Sequence, residues 1–170
     1  FILHVRNLAG SGALHTPFPM FNMINGGAHA PFHESWRKRF PTGRGLDMQE
    51  FQVVPTTPDF KIGLGIAKEF YRKLKEALER EYGKDYVVLG DEAGFSAPFS
   101  GNSDALDILQ FIIEKHHYPL RIGLDSAASQ FFSGEAYLYE GHARTAQEML
   151  RIYKNLIDRY NVISIEDPFD

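Results

Sequence analysis

The apolar positions change period along the chain, and the changes mark its elements. Asp59 is placed to cap a helix in which Ile62, Ile66, Phe70, Leu74 and Leu78 recur every four residues, an apolar stripe that Gly83 closes. A second helix is predicted from near Ser103, with Leu106, Leu109, Ile112 and Ile113 on one face and Pro119 beyond its end. The third opens on Thr145-Ala146-Gln147-Glu148, the spacing of a capping box, and its buried stripe reads Met149, Leu150, Tyr153, Leu156, Ile157 and Tyr160. Short apolar runs at 48–54, 86–89, 121–124 and 162–166 are too brief for helices and read as strands. Ahead of them, residues 14–24 are rich in Pro and Phe and run into the turn signal Asn25-Gly26-Gly27. Residues 30–45, punctuated by Pro31, Pro41, Gly43 and Gly45, read as a loop. Strand and helix alternate through the later part, the pattern of an α/β fold with a parallel sheet or a β/α barrel.

Charge and composition narrow the partners. With 18 basic and 22 acidic residues the net charge is −4, which gives no general attraction to nucleic acid or anionic lipid. Cysteine is absent, so thiolate metal sites and disulfides are excluded, and a cytoplasmic location is expected. No apolar run approaches the ~20 residues of a membrane-spanning helix. The chain starts at Phe1 without a Met and stops directly after a strand, so it reads as a piece cut at both ends.

Three strand-like runs stop on acid: Leu89-Gly90-Asp91-Glu92, Leu124-Asp125 and Ile165-Glu166. Parallel strands joined by helices put their C-terminal ends on one rim, where β/α barrels place their chemistry. Carboxylates gathered there repel one another unless a cation neutralises them, and oxygen donors without Cys favour Mg²⁺ or Mn²⁺ over zinc. A carboxyl held off such an ion can instead have a raised pKa and release a proton. Taken singly, each acid is more simply a cap or a turn residue. Asp167-Pro168 fits that plain role, as a cap followed by the first helical position.

The residues around these acids resemble the signatures of the enolase family. Asn22-Met23-Ile24-Asn25-Gly26-Gly27-Ala28-His29-Ala30 is similar to its N-x-x-N-G-G-x-H-A segment, and Asp47-Met48-Gln49-Glu50-Phe51 to its D-I-Q-E-F strand. Gly90-Asp91-Glu92-Ala93-Gly94-Phe95 resembles G-D-E-G-G-F, residues 122–129 resemble I-A-L-D-x-A-A-S, and Ser164-Ile165-Glu166-Asp167-Pro168-Phe169 resembles S-I-E-D-P-F. Five such segments in the family's order span nearly the whole chain.

The resemblance implies the first half of an enolase-type (β/α)8 TIM-like barrel, with an N-terminal α+β domain before Phe1 and the second half of the barrel after Asp170. It implies a lyase that reversibly dehydrates 2-phosphoglycerate to phosphoenolpyruvate with Mg²⁺, in a homodimer when intact. Asp125 and Glu166 would be two of three carboxylate metal ligands. Glu92 would be the acid that helps the C3 hydroxyl leave, with Glu50 assisting, and His29, Gln49 and Glu50 would contact substrate. Removing a weakly acidic proton beside a carboxylate builds charge that Mg²⁺ can stabilise, a device of which enolase-superfamily sites are themselves a known example. The base Lys, the third metal Asp and the phosphate-binding residues are expected beyond Asp170. Residues 1–170 alone are therefore expected to form no phosphoenolpyruvate, a point a direct assay checks.

Three departures from the family pattern stand out. Ala93 replaces a second Gly, Gln130 stands where Glu is usual, and the 31–45 loop is longer than usual by roughly a dozen residues. That loop carries Phe32, His33, Trp36, Arg37, Lys38, Arg39, Phe40 and Arg44, with His29 at its root. Basic residues among aromatics can mark a nucleic-acid contact, but one short run is a small footprint, and a solvated or docked loop is the expectation. Two other readings compete with a working enolase: a superfamily member acting on a different carboxylate, and a homologue that keeps the fold only for binding or structure.

Overall fold

The structure, a computed structural model, describes residues 1–10, 17–30, 36–43 and 45–170, with the side chain of Arg37 left out. Helix α1 (Ile2–Ala9) precedes strand β1 (Phe21–Asn25), a short helix α2 (Trp36–Arg39) and strand β2 (Glu50–Pro55). Then follow α3 (Phe60–Tyr82), β3 (Val88–Leu89), β4 (Phe95–Ser96), α4 (Asn102–His116) and β5 (Leu120–Asp125). The hairpin β6 (Tyr137–Tyr139) and β7 (His142–Arg144) leads into α5 (Ala146–Tyr160) and β8 (Val162–Glu166).

Six strands form one open sheet in the order β3-β4-β1-β2-β5-β8, and β6 with β7 forms a separate ribbon. The uniformly parallel sheet expected from the alternation of elements is corrected at β2, which runs antiparallel to both β1 and β5. β5 and β8 are parallel, as the helix between them requires. β1 lies where the sequence pattern predicts only the approach to a turn. Met23, Ile24 and Asn25 are all buried, so the strand lacks the polar alternation that would have advertised it.

The long helices end where their punctuation places them. Asp59 accepts from the Ile62 N–H and Gly83 closes α3, and Thr145 and Glu148 form the full capping box of α5. Their buried faces differ in detail from the simple stripes. Steps of four residues drift about 40° each around a helix, so Ile62 lies about 160° from Leu78. Ile62 is accordingly exposed, and Gly63 and Ala67 join Phe70, Leu74 and Leu78 on the buried side. Ile157 is likewise exposed on α5, while Met149, Tyr153, Leu156 and Tyr160 are buried. α3 packs on α4 and α4 on α5, and their inner faces share one apolar cluster with Phe51, Val53, Ile122 and Leu124 of the sheet.

The 30–45 region is not wholly a loop. Trp36 opens the single turn of α2 and is buried. Phe32, His33 and Arg44 lie outside the described residues.

Candidate functional site at one rim of the sheet

Because β2 is antiparallel, its first residue lies at the rim where β5 and β8 end. Glu50 pairs with Asp125 across β2 and β5, and Asp125 pairs with Glu166 across β5 and β8. Three carboxylates from distant parts of the sequence are thus neighbours in the ladder. Glu92 reaches the same rim from the loop between β3 and β4, and His29 from the single helical turn Gly27–His29 that follows β1.

His29, Glu50 and Glu92 form a cluster whose ligand-type atoms all lie within 4.8 Å of one another. His29 Nδ1 is 3.9 Å from Glu50 and 3.7 Å from Glu92. Burial, then a hydrogen bond with Glu92, pushes the Glu50 carboxyl up to about 7. The same hydrogen bond, helped by His29 and Asn22, holds the exposed Glu92 below the usual range. Below about pH 7 one proton therefore belongs to the pair, resting mainly on Glu50. Gln52 Nε2 donates to Glu50 Oε2 at 2.7 Å and Asn22 Nδ2 to Glu92 Oε2 at 3.3 Å, which fixes both carboxyls.

Asp125 is held by neutral donors. Gln49 Nε2 donates to Oδ2 at 2.9 Å and the Ala127 N–H to Oδ1 at 3.0 Å. Burial raises its carboxyl above the ordinary aspartate value, and the nearby Asp167 adds to the effect. Gln49 is oriented in turn by Gln130, whose Nε2 donates to Gln49 Oε1 and whose Oε1 accepts from the Ala28 N–H. Asp125 and Glu166, neighbours in the ladder and offering only oxygen, are of the donor type that suits a hard divalent cation.

The sequence model described as the enolase C-terminal TIM barrel domain matches residues 13–170. The chain belongs to the enolase family. It is 39% identical over 168 residues to the enolase of Methanococcoides burtonii and 38% identical over 166 residues to that of Sulfolobus acidocaldarius. The enolase of Methanocaldococcus jannaschii is 38% identical over 167 residues. In each case 96% of this chain is covered but only 37% of the relative, so the chain spans little more than a third of the enolases it matches.

All six residues expected to carry enolase chemistry thus reach one rim, in two connected groups. His29, Glu50 and Glu92 form one; Asp125 and Glu166 form the other, with Gln49 hydrogen-bonded to Asp125 between them. Of the residues that hold these groups, Gln130 stands out in the sequence as a departure from the family pattern, whereas Asn22 and Gln52 carry no proposed role there. Asn22, Gln52 and Gln130 each donate to a site residue. Asn25 is fully buried, with neither side-chain polar atom hydrogen-bonded, and packs on the Glu92 loop: a Cβ at Gly90 would lie 2.7 Å from Asn25 Oδ1. Polar residues inside an apolar strand were the available signal for Asn22, Asn25 and Gln52.

Proposed function

We propose that the protein carrying this chain is a Mg²⁺-dependent lyase that interconverts 2-phosphoglycerate and phosphoenolpyruvate, and that this rim is one wall of its active site. The observation that supports the reading best is the Glu50–Glu92 pair, which keeps a single proton beside His29 below about pH 7. Dehydration breaks the C3–O bond of the substrate, and hydroxide is a poor leaving group. A proton passed from the pair to that oxygen lets it depart as water. Glu50, the more buried partner, serves as the store, and Glu92 faces outward to deliver it. Asn22 and Gln52 keep the two carboxyls aimed, and His29 contributes positive character when protonated.

Asp125 and Glu166 would hold the metal, oriented through Gln49 and the Ala127 N–H. Mg²⁺ bound there would offset the negative charge that develops on the substrate carboxylate when the neighbouring carbon loses its proton. The homodimer and the cytoplasmic location remain part of this proposal. Among the described residues, no helix is long and apolar enough to cross a membrane.

The test is turnover by the intact protein. Phosphoenolpyruvate should form from 2-phosphoglycerate only when Mg²⁺ is present, and Glu92→Gln should lower kcat by about 100-fold or more, the usual contribution of a positioned acid. A wild-type protein that binds Mg²⁺ yet makes no phosphoenolpyruvate would favour the binding-only reading. Turnover of a different carboxylate in its place would favour another superfamily activity.

A further inference from the structure

We propose that residues 40–43, 45 and 46 form a strap that positions His29, with Phe40 as its anchor. The proposal rests on reading His29 as a substrate contact and addresses what keeps it in place.

His29 ends a single turn of 3-10 helix, Gly27–His29. Three backbone contacts hold that turn. The Asp91 N–H donates to the His29 carbonyl at 3.2 Å, which ties the turn to the Glu92 loop. The Ala28 N–H donates to Gln130 Oε1 at 3.2 Å. The Gly27 N–H donates to the Leu46 carbonyl at 2.9 Å, and Leu46 is the buried inner end of the strap.

From Leu46 outward, the strap is fastened at Gly45, Gly43, Thr42 and Phe40. The Gly45 N–H donates to the Phe99 carbonyl at 3.2 Å, and Thr42 Oγ1 lies 3.2 Å from Ser100 Oγ. Gly43 packs so closely on Pro98 that a Cβ there would be 3.1 Å from its carbonyl oxygen. Phe40 closes the outer end, edge-on to Tyr86 at 5.1 Å and to Tyr82 at 5.8 Å between ring centres. Tyr82 in turn meets Phe99 edge-on at 5.5 Å. Edge-to-face pairs contribute beyond their buried area, so this cluster is a firm seat.

Two consequences follow from where the strap is fastened. Residues 97–100 directly continue the segment that carries Glu92, so one frame fixes both the strap and the acid. Gly45 has φ +85 and Gly27 has φ +50, two points at which the backbone would swing if its outer end were loose. Phe40 is a positioning residue on this argument. Its ring lies against Tyr82 and Tyr86, and its effect reaches the site through His29.

The intact Mg²⁺-loaded protein with isotope-labelled histidine provides the test, the His29 signals being assigned by their loss in His29→Gln. In Phe40→Ala the His29 imidazole signals should shift and broaden while those of His116 and His142 stay put. KM for 2-phosphoglycerate should rise about tenfold, within what a small misplacement of a contact costs, with a smaller change in kcat. Phe40→Tyr, which keeps an edge-on ring, should restore both. An unchanged His29 spectrum in Phe40→Ala overturns the proposal, as does a shift shared equally by His116 and His142. Should Phe40→Ala fail to fold, Thr42→Val loosens the strap more gently and is read in the same way. Absence of turnover in the wild type would remove the functional reading only, because the spectroscopic result decides the strap without it.

Discussion

Glu50 lies directly across the ladder from Asp125, although Glu50 begins its strand and Asp125 ends its own. Only an antiparallel β2 allows that, and it brings two carboxyls with different partners together on one rim. Their hydrogen-bond partners differ, while the Asp125 charge adds to the rise that burial causes at Glu50. Glu50 faces Glu92 and Gln52, whereas Asp125 receives Gln49 and the Ala127 N–H. Neighbouring acids in different surroundings can then hold different protonation states at one pH.

That difference in surroundings predicts a pH dependence of stability. The Glu50 carboxyl moves from 4.5 to about 7 on folding, so between those values the folded protein keeps a proton that the unfolded chain has released. Its contribution is complete below about 4.5 and is lost as pH rises to about 7. The depressed Glu92 acts in the opposite sense: its contribution is present above 4.5 and lost only as pH falls below. In chelator, the thermal midpoint of the wild type should therefore drop from pH 5 to pH 8 relative to Glu50→Gln. The difference corresponds to roughly 1–3 kcal/mol by proton linkage. Parallel curves for the two proteins would contradict the assignment.

Metal dependence should divide along the same line. Asp125→Asn removes one of the two paired carboxylates, so Mg²⁺ that stabilises the wild type against heat should lose most of its effect. Glu92→Gln should keep it, since Glu92 belongs to the other group. Thermal midpoints titrated with Mg²⁺ measure both. Loss of the effect in Glu92→Gln but not in Asp125→Asn would argue that the ion sits among His29, Glu50 and Glu92 instead, and equal losses would contradict the division into two groups.

The loop that carries Glu92 is strained at a single residue. Ala93 has φ +60, a left-handed conformation that a Cβ disfavours by about 1–2 kcal/mol. Tyr71 holds it there by donating to the Ala93 carbonyl at 2.5 Å while stacking on Phe95. Ala93→Gly should relieve the strain and raise stability in urea by up to about 1 kcal/mol, the gain being trimmed by glycine's greater freedom when unfolded. A clear destabilisation would mean that the Ala93 methyl makes contacts that outweigh the strain.

Much of this could be read from the sequence because local signals and the fold agree. Asp59, Gly83 and Thr145 mark helix ends wherever they occur, and the acids at 92, 125 and 166 stand out after apolar runs. The direction of β2 could not be read, because a strand's own side chains carry no record of which way its neighbour runs. β1 was hidden by burial on both faces and by Asn22 and Asn25, whose polarity serves the site and works against strand patterning. Trp36 shows the converse case: an aromatic beside a run of basic residues reads as loop, and only tertiary packing buries it.

Gln130 offers the most direct check on how the two groups at the rim are joined. Its amide donates to Gln49 Oε1, which leaves Gln49 Nε2 to donate to Asp125, and its own carbonyl accepts from Ala28, next to His29. Gln130→Ala removes no proposed ligand and no acid, yet it frees the Gln49 amide to turn its oxygen toward Asp125. Partners behind metal ligands typically contribute tenfold or more to affinity. The Mg²⁺ concentration giving half-maximal stabilisation should therefore rise about tenfold in Gln130→Ala, and Gln49→Ala should show a similar rise. The double variant should add little to either single one, because both remove the same hydrogen bond to Asp125. Fully additive losses would show that Gln130 and Gln49 act on the rim independently.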